Sequence, residues 1–70
     1  MDIKSEISGK VWKIEATPGT SVEEDDAIII LESMKMEIPV PAPKDGTVTE
    51  ILVEEEELIE EGQVVARMET

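Results

Sequence analysis

The run "LESMKMEIPV", Leu31 to Val40, holds the residue best placed to do chemistry. Lys35 sits between Met34 and Met36 in a stretch that otherwise reads as β-strand. A lysine amine can be acylated, but only in its neutral form. With a reference pKa of about 10.4, an ordinary lysine is neutral in only about one molecule in 2500 at pH 7. Nothing near Lys35 in the sequence resembles a desolvating pocket. The activating machinery for any acyl transfer must therefore come from another protein. Histidine and cysteine are both absent from the chain. That removes histidine acid–base catalysis, thiolate chemistry, a disulfide framework and the usual zinc ligands. The carboxylates look dispersed over loops and faces, so a direct enzymatic role is not expected.

Eighteen carboxylates against six basic groups leave a formal charge of −12. Such a chain repels nucleic acid and anionic membranes, stays in solution, and can meet a basic partner surface quickly. No apolar run reaches the roughly 18 residues a spanning helix needs. The start, "MDIKSEISGK", lacks the features of a signal peptide. Cysteine-free composition fits a reducing compartment, and a cytoplasmic location is expected. Seventy residues predict one domain over 1–70, and a chain of this size buries only about 60% of its unfolded surface.

The lysine must be positioned by strands. "AIIILE" and "MEIPV" read as two arms of a hairpin closed by two residues, Met34 and Lys35. That pairs Ser33 with Met36, Glu32 with Glu37, and Leu31 with Ile38. Two-residue turns prefer asparagine and glycine, because their central residues often need positive φ. Methionine and lysine are poor choices there, so a use for the position is worth seeking. Met34 and Met36 supply flexible apolar surface, suited to a partner that repacks around them. The residues alone leave a second reading open: both methionines fill the core edge and Lys35 is a solvated turn residue. Glu32 and Glu37 likewise read either as partner contacts or as ordinary solvent-facing strand positions.

The chain nearly repeats at an offset of 37 residues: "GKVWKIEATPGTSVEEDDAIIILE" from Gly9 aligns with "GTVTEILVEEEELIEEGQVVARME" from Gly46. Each unit reads as strand, turn, strand, with alternating polarity bounded by glycine. "TPGTS" is a turn, and "PKDG" is another, with Asp45 and Gly46 as its hinge. Pro39, Pro41 and Pro43 exclude central ladder positions in the extended stretch that holds them. "EEEELIEE" has helical propensity, but its repeat partner carries a turn, so a tight loop and a brief strand are predicted. Two such units bury their apolar faces against each other as a small antiparallel sandwich. The predicted core is Ile7, Val11, Ile14, Val22, Ile28, Ile30, Ile38, Val48, Ile51, Ile59, Val64 and Ala66. Leu31, Leu52, Leu58, Val65 and Met68 are predicted at its edges, with Trp12 as a cap.

With these motifs in place, the chain resembles the biotinyl/lipoyl attachment domains over nearly its whole length. The family signature runs glutamate, small residue, methionine, modified lysine, methionine. It stands here as Glu32, Ser33, Met34, Lys35, Met36. The resemblance implies a flattened sandwich of two four-stranded antiparallel sheets, the barrel-sandwich hybrid, with internal pseudo-two-fold symmetry. It implies that Lys35 carries covalent biotin and that Met34 and Met36 flank it for ligase recognition, with Glu32, Ser33 and Glu37 as further recognition positions. Gly9, Gly46 and Gly62 match family glycines.

The implied function is that of a biotin carboxyl carrier, itself without catalysis and acting as a mobile monomer. A biotin protein ligase would modify Lys35, and the arm would carry a carboxyl group from a biotin carboxylase to a carboxyltransferase. Lipoyl acceptors usually carry aspartate before the lysine and alanine after it, so Met34 and Met36 favour biotin. A lipoyl carrier of a 2-oxo acid dehydrogenase system, acceptance of both groups, or an unmodified assembly module remain alternatives. Asp25 and Glu56 stand where the family commonly has glycine. No inserted thumb precedes the lysine motif, so a compact form is expected, freestanding or part of something larger.

Overall fold

A computed structural model describes all 70 residues, as eight strands and no helix. The strands are β1 (Asp2–Lys4), β2 (Gly9–Ile14), β3 (Ser21–Val22), β4 (Ala27–Ser33), β5 (Met36–Pro41), β6 (Gly46–Ile51), β7 (Leu58–Ile59) and β8 (Val64–Glu69). They form two four-stranded antiparallel sheets, ordered β1-β8-β6-β3 and β5-β4-β2-β7. The architecture is the flattened all-β sandwich expected. Pro39 and Pro41 lie in β5, an edge strand, where a missing N–H costs no central ladder bond. The acidic run forms a turn and the two-residue β7 rather than a helix.

The pairing follows the 37-residue offset closely. A bulge interrupts β2 between Val11 and Lys13, and another interrupts β6 between Val48 and Glu50. Turn hydrogen bonds repeat even where the side chains differ. Asp26 accepts from the Glu23 N–H at 2.9 Å, and Gln63 accepts from the Glu60 N–H at 3.1 Å. Asp45 accepts from the Glu24 N–H at 2.7 Å, and Ser8 from the Glu61 N–H at 3.2 Å. Gly46 is not a hinge as expected. It opens β6, and a Cβ there would collide with the Glu69 carbonyl oxygen.

Fifteen buried apolar residues form the core between the sheets. Six of the predicted core residues are among them: Val11, Val22, Ile28, Val48, Ile59 and Ala66. Ile7, Ile14, Ile30, Ile38, Ile51 and Val64 are only half-buried. Leu31, Val65 and Met68, expected at the edges, are fully buried instead. The reason is a loss of strict alternation. A bulge between Ala27 and Ile29 turns both Ile28 and Ile29 inward, which moves Ile30 outward and Leu31 in. The same shift occurs where Lys4 and Ile3 pair with Val64 and Ala66. Leu52 and Leu58 stay exposed, and Trp12 is half open to solvent rather than capping the core. Ile3, Ala16, Val40, Ala42 and Val53 complete the core. The repeat would have located two of them, since extending it back past Gly9 lays Ile3 on Val40.

Backbone strain also follows the offset. Gly19 (φ 93°) and Glu56 (φ 72°) are one pair of equivalent positions, Asp25 (φ 72°) and Gly62 (φ 85°) the other. Each pair uses glycine once. Left-handed φ costs an L-residue about 1–2 kcal/mol, and aspartate tolerates it better than glutamate. Glu56→Gly should therefore stabilise the fold by about 1 kcal/mol in urea unfolding. Gly62→Ala, whose Cβ would meet nothing within 4 Å, should destabilise it by a similar amount through backbone strain alone.

Candidate functional site

The site is the hairpin between β4 and β5. The register pairs Ser33 with Met36, Glu32 with Glu37 and Leu31 with Ile38, as the sequence predicted, and continues with Ile30 and Pro39. Met34 (φ 51°) and Lys35 (φ 66°) close it, both left-handed. Positive φ at both central positions is the signature of a type I′ turn, whose twist matches that of the flanking strands. The turn is the right one for the hairpin, and the residues in it are the wrong ones for the turn.

What fixes the turn in place is the strand pair behind it. Leu31 is completely buried, and its neighbours Glu32 and Glu37 are exposed across from each other. A slip of one residue would drive a glutamate into the core. Gly9, first residue of β2, adds a second constraint. A Cβ at Gly9 would come within 2.9 Å of the Glu32 carbonyl oxygen, so only glycine lets β2 lie this close to β4.

At the tip the side chains point to water. Met34 is 93% exposed and Met36 59%, and Lys35 is exposed between them. The methionines therefore do not fill the core edge. Ser33 is half-buried. Lys35 makes no hydrogen bond or ion pair within the chain. The two ion pairs are Lys13–Glu15 at 3.5 Å and Arg67–Asp2 at 3.3 Å, both on the surface. The single cavity, about 270 Å³, is lined by residues such as Asp2, Lys4, Asp25 and Pro41, none of them at the tip. Nothing intramolecular holds the amine or shields it. The geometry suits a group handed to another protein. The chain ends belong to the other sheet, where Met1 donates from its amino group to the Met68 carbonyl at 2.8 Å.

A family model described as "Biotin-requiring enzyme" matches residues 1–68, and its family is that of biotin and lipoyl attachment. The chain belongs to that family. It is 35% identical over 68 residues to the biotin/lipoyl attachment protein of Bacillus subtilis, covering 97% of this chain and 93% of that protein. Among solved structures it is similar to the urea carboxylase of Kluyveromyces lactis, with a TM-score of 0.89 and 41% identity over 94% of this chain. This chain spans 6% of that much longer protein. It is also similar to the lipoyl domain of the 2-oxoglutarate dehydrogenase complex from Azotobacter vinelandii, with a TM-score of 0.78 and 26% identity. That match covers all of this chain and 96% of the other. The attachment family supplies carrier domains for covalently bound biotin or lipoate, so the role is carriage rather than catalysis.

Sequence reasoning found the tip but passed over Gly9's contact with Glu32, which is visible only once β2 and β4 are paired. The strained turn generates a test. Replacing Met34 and Lys35 together by Asn-Gly should stabilise the fold by about 1–2 kcal/mol in urea unfolding while deleting the amine. No gain in stability would mean that the two positions carry no backbone strain.

Proposed function

We propose that residues 1–70 form one attachment domain whose two halves are related by an internal pseudo-two-fold, and that Lys35 is its acceptor for biotin. The observation that carries this reading is an unpartnered, exposed amine on a left-handed two-residue turn, inside the span matched by the family. Met34 and Met36 flank it as the surface a ligase reads. Glu32, Ser33 and Glu37 extend that surface down the hairpin. Biotin is favoured over lipoate by the methionines on both sides of the lysine. The higher identity to a urea carboxylase than to a lipoyl domain points the same way.

In the modification step the neutral Lys35 Nζ attacks the acyl carbon of a biotinyl-adenylate held by a biotin protein ligase. An amide C–N bond forms, the acyl–phosphate oxygen bond breaks, AMP leaves and the nitrogen gives up a proton. The chain contributes position: a pinned turn lowers the entropic cost of bringing the amine to the activated acyl group. Once attached, biotin supplies a ring nitrogen that carries a carboxyl group between a biotin carboxylase and a carboxyltransferase. Tethering raises its concentration at both sites to around millimolar where the linkers reach.

The test is intact mass after incubation with biotin protein ligase, ATP and biotin, and separately with a lipoate ligase and lipoate. One biotinyl group is expected on the unaltered chain and none on Lys35→Arg. That variant should keep its stability within about 0.5 kcal/mol, as a surface exchange does. Lipoyl transfer without biotinyl transfer, or biotinylation of Lys35→Arg, would overturn the reading.

A further inference from the structure

The 37-residue offset gives most positions on one sheet a counterpart on the other, Met36 and Glu37 excepted, which makes each sheet a control for its partner. The inner faces match, but the outer faces do not. On the sheet that carries the Lys35 hairpin, the outer face holds Leu58, Trp12, Ile30 and Pro39. Their counterparts on the other sheet are Ser21, Thr49, Arg67 and Asp2. The outward direction follows from the pairing. Val11 and Leu31 are fully buried partners, so the adjoining pair Lys10 and Glu32 turns outward. Leu58 lies directly across from Lys10, and Trp12, two residues along β2, is its diagonal neighbour within reach of an aromatic ring. Lys13 and Pro39 flank Ile30 on either side.

This surface is open. Leu58 is 77% exposed and Trp12, the only aromatic residue of the chain, 49%. Neither is needed to fill the core, since serine and threonine hold the same positions in the other half. The face also departs from the charge of the whole. Lys10 and Lys13 border Trp12, with Glu32 across from Lys10, Glu37 beside Glu32 and Glu15 paired to Lys13 at 3.5 Å, so the face carries both signs in a chain of net charge −12.

Its position says which partner would cover it. The inner side of the hairpin sheet packs on the core, so the outer side is the broad surface beside the tip. Glu32, in the same row as Lys10 and Leu58, is three residues from Lys35, about 10 Å along the strand. An enzyme whose active site takes in Lys35 lies against this row. We propose that the outer face of the hairpin sheet, centred on Trp12 and Leu58, is a docking surface for the ligase that acylates Lys35. It fits an apolar patch bordered by charges of both signs, acidic toward Lys10 and Lys13 and basic toward Glu32 and Glu37. The inference rests on the acceptor role of Lys35. Tryptophan set among near-neutral contacts is the usual composition of an interface hot spot.

The test transplants the other sheet's residues. Trp12→Thr and Leu58→Ser each introduce the side chain found at the equivalent position of the same fold, and Thr49→Ala serves as the control. Acylation is followed with biotin protein ligase, ATP and biotin, and folding by far-ultraviolet circular dichroism. Trp12→Thr should lower kcat/KM about thirtyfold through KM, the size of one hot-spot residue, and Leu58→Ser about fivefold, each with kcat within about twofold. Lys10→Glu combined with Lys13→Glu should lower it further at low salt and less at high salt. Thr49→Ala should match the unaltered chain.

An unaltered kcat/KM in folded Trp12→Thr and Leu58→Ser, with the parent chain acylated normally, overturns the docking surface alone. Failure of the parent chain to be acylated overturns the acceptor role and the docking surface together. A dimer of the parent in sedimentation that both variants dissolve would assign the face to a second copy, and would equally overturn the proposal.

Discussion

The register of β4 against β5 is the constraint on which the site depends. Leu31 sits wholly inside the sandwich, and Glu32 sits wholly outside it. Because side chains alternate, that pair of assignments allows one alignment and forbids its neighbours. Gly9 tightens it by letting β2 pack against the Glu32 carbonyl. With the strands locked, only Met34 and Lys35 remain to make the turn, and both must take positive φ. The amine is thus set by packing several residues away, not by any bond to itself. A turn sequence of asparagine and glycine would close the same hairpin at lower cost. Keeping lysine there gives up some stability for an exposed amine at a fixed place.

The rest of the fold shows how a short chain supports such a feature. Two copies of one strand–turn–strand unit supply facing apolar surfaces, and each sheet completes the core of the other. Between the two units the turn hydrogen bonds are kept while the acceptors change: Asp26 or Gln63, Asp45 or Ser8. The geometry of the turns is under tighter constraint than their chemistry. Glycine use makes the same point, since Gly19 pairs with Glu56 and Gly62 with Asp25 at equivalent left-handed positions. High negative charge is spread over these loops.

Much of this was legible in the sequence. The hairpin register came from matching "AIIILE" to "MEIPV" around two residues, and all three predicted pairs at the tip are present. The repeat located the paired turns and favoured a loop and brief strand over a helix for the acidic run, as observed. What could not be read was the side each strand residue faces near a bulge. Period-2 reasoning placed Ile30 inside and Leu31 at the edge, whereas the bulge after Ala27 buries Ile28, Ile29 and Leu31. Bulges are set by how two sheets curve over a shared core, which no local pattern reports. The three residues of β1 carry no signal of their own, and the strand shows only when the repeat is carried back past Gly9, where Ile3 continues it. The role proposed for Lys35 as an attachment point was not readable from physics alone, because an exposed turn lysine has an ordinary explanation. The family resemblance supplied the choice.

Two left-handed residues at the end of a locked strand pair set the tip, and solution NMR of the unmodified chain measures both. Cross-strand contacts should join Ser33 to Met36 and Leu31 to Ile38, and the amide–Hα couplings of Met34 and Lys35 should report positive φ. A hairpin found shifted by one residue, or Lys35 with negative φ and its side chain packed against the sheet, would contradict that arrangement.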